Sequence, residues 1–327
     1  PIIRWPRDRF GSVSTMFPRF DNLTAAKIAQ NARLLIELGY SDPESAIQCL
    51  VRLRETSLAC DLMHSTQIGR SVPVWFKTLK RILLEVPDPE AVIRATDAFV
   101  TNSALRKDAF SLFEETPRSL EVLARLACGS SFLTQTLLAD TEALRHLTTE
   151  RRTAEMKSRE KFCEEAWDFL GEDATPEDQL LRLRRFQRRQ ILRIGMCDAF
   201  GLLDLKFVTL QISLLADAMV QVCLDIACQQ TGVHEPPFSV LALGKHGGEE
   251  LNYSSDIDLI LIAEADSQTV QRVARRMIDG LSDNLSTGFL YRVDMRLRPW
   301  GDAGPLVSTP SAYATYLRND AELWEKQ

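Results

Sequence analysis

The chain has 327 residues and a formal net charge of −6 at pH 7, with 45% hydrophobic and 26% charged residues. A chain of this length and composition can bury a sizeable core and form one large domain or two ordinary ones. The acidic charge argues against general nucleic-acid binding, because contacts to phosphates require a positive surface. No uninterrupted apolar run reaches the roughly 18 residues of a membrane span, and residues 1–6 lack the apolar core of a signal peptide. We therefore expect a cytoplasmic protein without membrane or nucleic-acid partners.

The chain begins at Pro1 rather than Met, and its last four residues lie in a predicted helix, so we expect a fragment of a longer protein. The seven cysteines are scattered and include no Cys-x-x-Cys pair. They are typical of small buried residues in a reducing compartment.

The region from Leu23 to Gln230 is predicted to be mostly helical, because its apolar residues recur at helical spacing. Proline signals predict helix boundaries at residues 41–43, 86–89 and 116–117. Stretches 148–161 and 171–176 are predicted to be exposed connections. The basic run 182–189 is predicted to be the solvated face of an amphipathic helix rather than a nucleic-acid site.

After Gln230 the pattern changes to short apolar runs typical of strands. Strands are predicted at Phe238–Leu243, Asp258–Ala263 and Phe289–Leu297, with a helix at Gln268–Asn284. Alternation in the third strand would place five residues on one face: Leu290, Arg292, Asp294, Arg296 and Arg298. The order predicts an α+β fold, with a helical amino-terminal region at 1–95 and a domain at 96–327 whose sheet spans about 238–300.

Asp256 and Asp258 are the strongest candidates for catalytic residues. Residues two apart on a strand point the same way, and two adjacent carboxylates repel each other unless a cation lies between them. Oxygen ligands suit Mg²⁺ or Mn²⁺, and Asp294 on a neighbouring strand can complete the site for one or two metal ions. A structural ion pair with Arg292 or Arg296 is the alternative role for Asp294.

Several nearby residues are candidates for binding phosphate or nucleotide. The glycines would let backbone amides approach phosphate, the serines would add hydroxyls, and the arginines would neutralise phosphate or form internal ion pairs. These residues are Gly244, Gly247, Gly248, Ser254, Ser255, Arg296 and Arg298. A diglycine, a serine pair, an Asp-x-Asp and a distant strand aspartate in this order define a polymerase-beta-like nucleotidyltransferase site.

Residues Gly244–Leu259 and Tyr291–Val307 resemble the glutamine synthetase adenylyltransferases. The resemblance implies two similar halves: one attaches AMP to a tyrosine of glutamine synthetase using ATP, and the other removes it by phosphorolysis, releasing ADP. Asn252, Ile257 and Pro305 look more like the amino-terminal, deadenylylating half. His246 departs from the family, which usually has Leu there. The implied partners are glutamine synthetase, ATP or ADP, phosphate and a PII signalling protein.

Three alternatives stay open. The chain could be the ATP-dependent adenylylating half, or a nucleotidyltransferase acting on RNA or a small molecule. It could also be a catalytically inactive helical scaffold, although intact aspartates argue against that role.

Overall fold

The fold was analysed in a computed structural model that describes residues 17–61, 72–149, 154–283 and 288–323. The expectations for residues 1–6 and for a helix at the last four residues lie outside these ranges. The chain forms two compact units, one comprising Pro1–Thr153 with Gly195–Leu202 and the other Ala154–Ile194 with Leu203–Gln327. The predicted boundary at 95/96 lies inside a helix of the first unit, and the assignment of functional domains stays a prediction.

The first unit is helical, as the apolar spacing predicts. Its helices are α1 (Ile28–Glu37), α2 (Pro43–Asp61), α3 (Val74–Leu83), α4 (Pro89–Asn102), α5 (Arg106–Glu115), α6 (Arg118–Gly129), α7 (Ser131–Ala139) and α8 (Glu142–Thr149). The predicted boundaries hold: Asp42 accepts a hydrogen bond from the Ser45 amide (3.2 Å), and the Asp88 carboxylate caps α4 by accepting from Ala91 N (2.9 Å). A buried aromatic cluster forms part of the core, namely Phe17, Phe20, Trp75, Phe76 and Phe110.

The second unit is built around a long apolar helix. Its helices are α9 (Arg159–Leu170), α10 (Pro176–Ala199, which ends in the first unit), α11 (Leu205–Thr231), α12 (Gly244–Gly247), α13 (Gln268–Ser282) and α14 (Pro310–Asn319). Helix α11 is long and apolar enough to cross a membrane by length and composition, but 67% of its apolar window is buried. Packing against α9 and α13 accounts for this apolar character, as in the core helix of a globular unit.

A small mixed sheet of four strands follows α11. The strands are β1 (Ser239–Leu243), β2 (Ile257–Ile262), β3 (Val293–Asp294) and β4 (Val307–Ser308). Strand β2 is central, as its apolar faces predict: β1 pairs with it antiparallel, whereas β3 and β4 both pair with it in parallel. The α+β prediction is confirmed, and β4 is a strand that the sequence pattern did not predict.

The predicted third strand is mostly wrong. Only Val293–Asp294 pairs as strand β3, because the following residues turn away, with Arg298 N donating to Met295 O (3.2 Å). Leu290 and Tyr291 are adjacent and both buried, which strict alternation forbids. The five predicted residues therefore do not share one face.

Two smaller expectations also need correction. Helix α13 ends at Ser282, and the predicted end at Asn284 lies outside the described residues. The basic run 182–189 is not simply a solvated face, because Arg184 is 0% exposed. Its Nη2 donates to the carbonyls of Gly280 (3.3 Å) and Asp283 (3.2 Å).

Candidate active site

The three predicted aspartates converge where β2 and β3 begin. Asp258 and Asp294 are paired in register on these parallel strands, and Asp256 immediately precedes β2. The side chains of β2 between the carboxylates and the strand end are buried and apolar, so the acidic groups gather at one end of the sheet. The predicted third strand is seven residues longer than β3, but this error does not change the position of Asp294. Asp294 lies in the two residues that do pair with β2.

Two arginines neutralise the outer carboxylates. Arg292 pairs with Asp256 and also donates from Nη2 to the Ser254 carbonyl (2.6 Å). Arg296 donates from Nε to both oxygens of Asp294, at 3.0 and 2.9 Å, and its backbone N donates to Oδ1 (2.8 Å). The internal ion pair suggested for Asp294 is therefore present, and its partner is Arg296.

The pKa values of the two paired carboxyl groups, Asp258 and Asp294, are shifted in opposite directions. Burial raises the pKa of Asp258, and the neighbouring carboxylates Asp294 and Asp256 raise it further, although His246 and Arg296 oppose this. Hydrogen bonds from Arg296 lower the pKa of Asp294, against an opposing contribution from burial. Asp258 is thus the carboxylate whose negative charge is least compensated by the protein.

Gly244 lies directly against Asp258. Its φ of +56° is in the left-handed region, and a Cβ built there would lie 2.5 Å from Asp258 Oδ2. This close approach follows from the sheet register, because Leu243 of β1 pairs with Asp258 of β2. A glycine is therefore needed here both for its conformation and for the space beside the carboxylate.

The glycines and serines that were also predicted to bind phosphate lie in two local turns. Gly247 and Gly248 belong to a short helical turn, and the Gly248 amide donates to Gly244 O (3.1 Å), so it is engaged within the turn. Ser255 Oγ accepts from Asn252 N (3.1 Å), which stabilises the turn before β2. Ser254 lies in the same turn and receives Arg292 on its carbonyl.

Arg298 does not join the carboxylates. Its side chain is 11% exposed, and it reaches Asp302 (3.4 Å), while Nη1 donates to Met295 O (2.8 Å). Arg296 is 76% exposed. Of the two arginines predicted to meet phosphate, Arg296 lies at the carboxylates and Arg298 stabilises the turn that follows β3.

The donor set suits a hard divalent cation, since it consists of carboxylate oxygens held close together with incomplete charge compensation. Within the described ranges, no three His, Cys, Asp or Glu side chains already form a metal-binding group. The reason is local: Asp256 and Asp294 are turned towards Arg292 and Arg296. A cation held by the three aspartates would require those two ion pairs to open.

A family comparison covers this whole region. The model of the glutamate-ammonia ligase adenylyltransferase family matches residues 120–327, which is more than half of the chain and includes every candidate site residue.

The chain belongs to this family.

Relatives of the adenylyltransferase family agree with the assignment. A protein from Methylococcus capsulatus is 32% identical over 272 residues, covering 74% of this chain and 29% of its own length. Proteins from Thioalkalivibrio sulfidiphilus and Pseudomonas putida are 28% and 29% identical over 90% of this chain and 33% of their own lengths. All three are named bifunctional glutamine synthetase adenylyltransferase/adenylyl-removing enzyme. The chain thus spans about a third of the length of these curated relatives.

Sequence reasoning missed two contacts at this candidate site. Arg292 was considered only as a partner of Asp294, yet it pairs with Asp256. His246, noted from the sequence only as a departure from the family pattern, is buried, with Nε2 2.8 Å from Asp217 Oδ1. Asp217 carried a usable signal, because it is one of two acidic residues inside the mostly apolar helix α11.

Proposed function

We propose that this chain removes AMP from a modified tyrosine of glutamine synthetase by metal-dependent phosphorolysis, releasing ADP. The observation that supports it best is the in-register pairing of Asp258 with Asp294, with Asp256 alongside, inside a region that matches the adenylyltransferase family. The choice of the deadenylylating direction rests on Asn252, Ile257 and Pro305. A cytoplasmic location, ATP or ADP as nucleotide, and regulation by a PII protein belong to the same proposal.

The reaction needs an oxygen of inorganic phosphate to attack the AMP phosphorus. The bond from that phosphorus to the tyrosine oxygen breaks, the tyrosine oxygen takes a proton, and ADP leaves. Bound Mg²⁺ or Mn²⁺ would supply a positive charge that stabilises the phosphate oxygens during transfer. Asp256, Asp258 and Asp294 would hold the cation.

Arg296 is suited to bind the attacking phosphate. It already lies at the carboxylates and is largely exposed, so it can exchange Asp294 for an anion when a cation compensates that aspartate. Gly244 keeps a side chain away from the space beside Asp258. The protein thereby contributes positioning and charge stabilisation, which are the main requirements of phosphoryl and nucleotidyl transfer.

The test is a pair of incubations with Mg²⁺. One contains AMP-modified glutamine synthetase and phosphate, and the other contains unmodified glutamine synthetase and ATP. We expect phosphate-dependent ADP release in the first and no AMP attachment in the second. Asp258→Asn is the inactive comparison, and Asp266→Asn is the matched control, because Asp266 is an exposed aspartate beyond the other end of β2.

The opposite result would assign the chain to the adenylylating half of the family. AMP attachment from ATP without phosphate-dependent ADP release would overturn the proposed direction while keeping the three aspartates as metal ligands. Transfer to RNA or a small molecule, with neither glutamine synthetase reaction, would overturn the proposed substrate. Absence of any transfer would favour the scaffold alternative.

A further inference from the structure

Helix α11 is hydrogen-bonded at two points to the segment between β1 and β2, residues 244–256. The Leu251 amide donates to Ser213 Oγ (3.1 Å), and His246 Nε2 lies 2.8 Å from Asp217 Oδ1. Ser213 and Asp217 are four residues apart and therefore share one face of the helix. The segment between β1 and β2 is thus attached to α11 at His246 and, five residues later, at Leu251.

His246 is an unusual residue to bury at this position. It is 3% exposed, and its Nδ1 has no hydrogen-bond partner among the described residues. Because an ionised Asp217 carboxylate only accepts hydrogen bonds, Nε2 carries the hydrogen of this contact and Nδ1 is left as an unpaired polar atom. Burying such an atom is unfavourable. An apolar side chain would fill the space without that cost, so packing alone does not explain the histidine.

The bond to Asp217 acts on a turn that has little freedom to move. His246 is the third residue of α12. Gly247, the next residue, lies against β1: a Cβ built on it would be 2.5 Å from Ala242 O. A Cβ built on Gly244 would likewise be 2.5 Å from Asp258 Oδ2. Helix α12 is therefore packed between β1 and the Asp258 carboxylate, and the Asp217 bond holds it from α11. A shift of α12 would move Gly244 against Asp258.

We propose that Asp217 and His246 are a positioning pair that sets the place of the Asp258 carboxylate through the α12 turn. The inference depends on the proposed function in one respect, namely that Asp258 is a metal ligand. Neither residue touches the reacting atoms in this proposal. Asp217 holds His246 through the contact at Nε2, and His246 thereby holds the backbone of α12 in place. Gly244, in the same turn, then limits where the Asp258 carboxylate can lie.

The experiment measures Mn²⁺ binding by titration calorimetry and, separately, turnover of AMP-modified glutamine synthetase. Five variants of the whole chain are compared: Asp217→Ala, Asp217→Asn, His246→Leu, Asp225→Asn and the double variant Asp217→Ala/His246→Leu. Asp217→Asn keeps an acceptor for His246. Asp225→Asn is the matched control, because it removes a carboxylate from the same helix that is bonded only to Gln221 (2.8 Å) in the described structure.

We expect Asp217→Ala and His246→Leu to weaken Mn²⁺ binding by roughly tenfold or more, as is typical when a partner that orients a metal ligand is lost. Turnover should fall through kcat, with little change in KM for the protein substrate. Asp217→Asn should restore most of both values, and Asp225→Asn should match the unaltered chain. The double variant Asp217→Ala/His246→Leu should be no worse than either single variant, because both break one linkage.

Equal Mn²⁺ affinity in Asp217→Ala, His246→Leu and Asp225→Asn, with each chain still folded, would overturn the positioning role. So would absence of Mn²⁺ binding by the unaltered chain. If His246→Leu fails to fold, Asp217→Ala decides, since that carboxylate is 37% exposed and its loss leaves no large cavity. If Mn²⁺ binding depends on Asp217 but no glutamine synthetase reaction occurs, the positioning role stands and the proposed function fails.

Discussion

At the scale of single residues, the protein compensates the negative charge of Asp294 well and that of Asp258 poorly. Hydrogen bonds from Arg296 lower the pKa of Asp294, whereas burial and neighbouring carboxylates raise the pKa of Asp258. Such an arrangement is unfavourable without a cation and favourable with one. Gly244 maintains it by leaving room beside Asp258.

Asp258→Asn should reduce nucleotidyl transfer by several orders of magnitude, because under the proposed function it removes a ligand of the cation that organises the transition state. The free energy of unfolding at pH 7 should not fall. Since the raised pKa shows that the charged form is disfavoured in the folded chain, a neutral amide is tolerated. Activity assays and urea denaturation measure the two effects. Near-normal turnover in the folded variant would contradict the assignment of Asp258, and Asp256→Asn tests the neighbouring ligand in the same way.

Gly244→Ala should lose activity because its methyl group would displace the Asp258 carboxylate. A left-handed non-glycine residue also costs about 1–2 kcal/mol of stability. Gly232→Ala is the matched control: its φ is +70° and no atom lies within 4 Å of the added carbon. Both variants should show a similar loss of stability in urea, but only Gly244→Ala should lose transfer. Equal activity in the two variants would contradict the close-packing explanation.

At the scale of elements, short contacts between segments decide the geometry. Strands β3 and β4 pair with positions of β2 only three residues apart, so residues 295–306 must leave the sheet and return. Arg296 and Arg298 both lie in this segment, but Arg296 pairs with Asp294 whereas Arg298 contacts Asp302 and Met295 O. Elsewhere, α4 is joined to the turn between α1 and α2 by Glu90, which accepts from Ser41 Oγ (2.7 Å) and Asp42 N (2.8 Å).

Arg296→Ala and Arg298→Ala should behave differently. Arg298 bonds the turn after β3, so its loss should lower the free energy of unfolding by about 1–3 kcal/mol. The ion pair of Arg296 is solvent-exposed and contributes little to stability, so Arg296→Ala should stay stable. Arg296→Ala should instead raise KM for phosphate more than it weakens binding of the modified protein. Steady-state kinetics at varied phosphate, together with urea denaturation, distinguish the two; a phosphate defect confined to Arg298→Ala would reverse the assignment.

Glu90→Gln should destabilise the first unit at pH 7 and much less in acid. Burial alone would raise the pKa of Glu90, but hydrogen bonds from Ser41 and Asp42 outweigh it, and the net pKa is lowered from 4.5. A carboxylate with a lowered folded pKa contributes stability above about pH 4.5, and that contribution is lost as pH falls through the folded value. We expect a loss of about 1.5–3 kcal/mol at pH 7, the range for hydrogen bonds to charged groups.

The Glu90 prediction is checked by urea denaturation at pH 7 and at pH 3. Glu85→Gln is the control, because Glu85 is exposed and, among the described residues, forms an ion pair only with Arg81, at 3.8 Å. A Glu90→Gln effect that is equal at both pH values would show that shape, rather than charge, is responsible.

At the scale of the whole molecule, the fold is held by apolar packing in two units, and the candidate site adds little to it. In the sheet, Ile257, Leu259 and Leu261 of β2 are fully buried, while the carboxylates lie at the end of the strand. Folding and metal binding should therefore be separable properties.

Removal of divalent cations with EDTA should abolish transfer and leave the melting temperature nearly unchanged. Adding Mg²⁺ or Mn²⁺ back should restore activity, because the aspartates belong to an already folded sheet end. Circular dichroism melting and the ADP-release assay provide the two measurements. Transfer that persists in fully chelated enzyme would contradict the metal dependence, whereas unfolding on chelation would show that the cation is structural.

Much of this architecture was predictable from residue order. The mostly helical character of residues 23–230, the helix boundaries at residues 41–43, 86–89 and 116–117, and strands β1 and β2 follow from local apolar spacing and from proline and capping signals. Asp256, Asp258 and Asp294 could be selected because a carboxylate pair at an apolar strand is costly without a cation. The length of β3 could not be predicted, because alternation of apolar and polar residues also occurs in a turn that is never paired.

The sequence by itself determined the mostly helical region, strands β1 and β2, and which aspartates are candidates for the site, since these depend on local patterns along the chain. Only the tertiary structure decided the partners of the charged groups. Arg292 meets Asp256 across 36 residues, and His246 meets Asp217 across 29. Which of several arginines reaches which aspartate depends on strand register and helix placement, and these are set by packing of the buried apolar faces rather than by spacing along the chain.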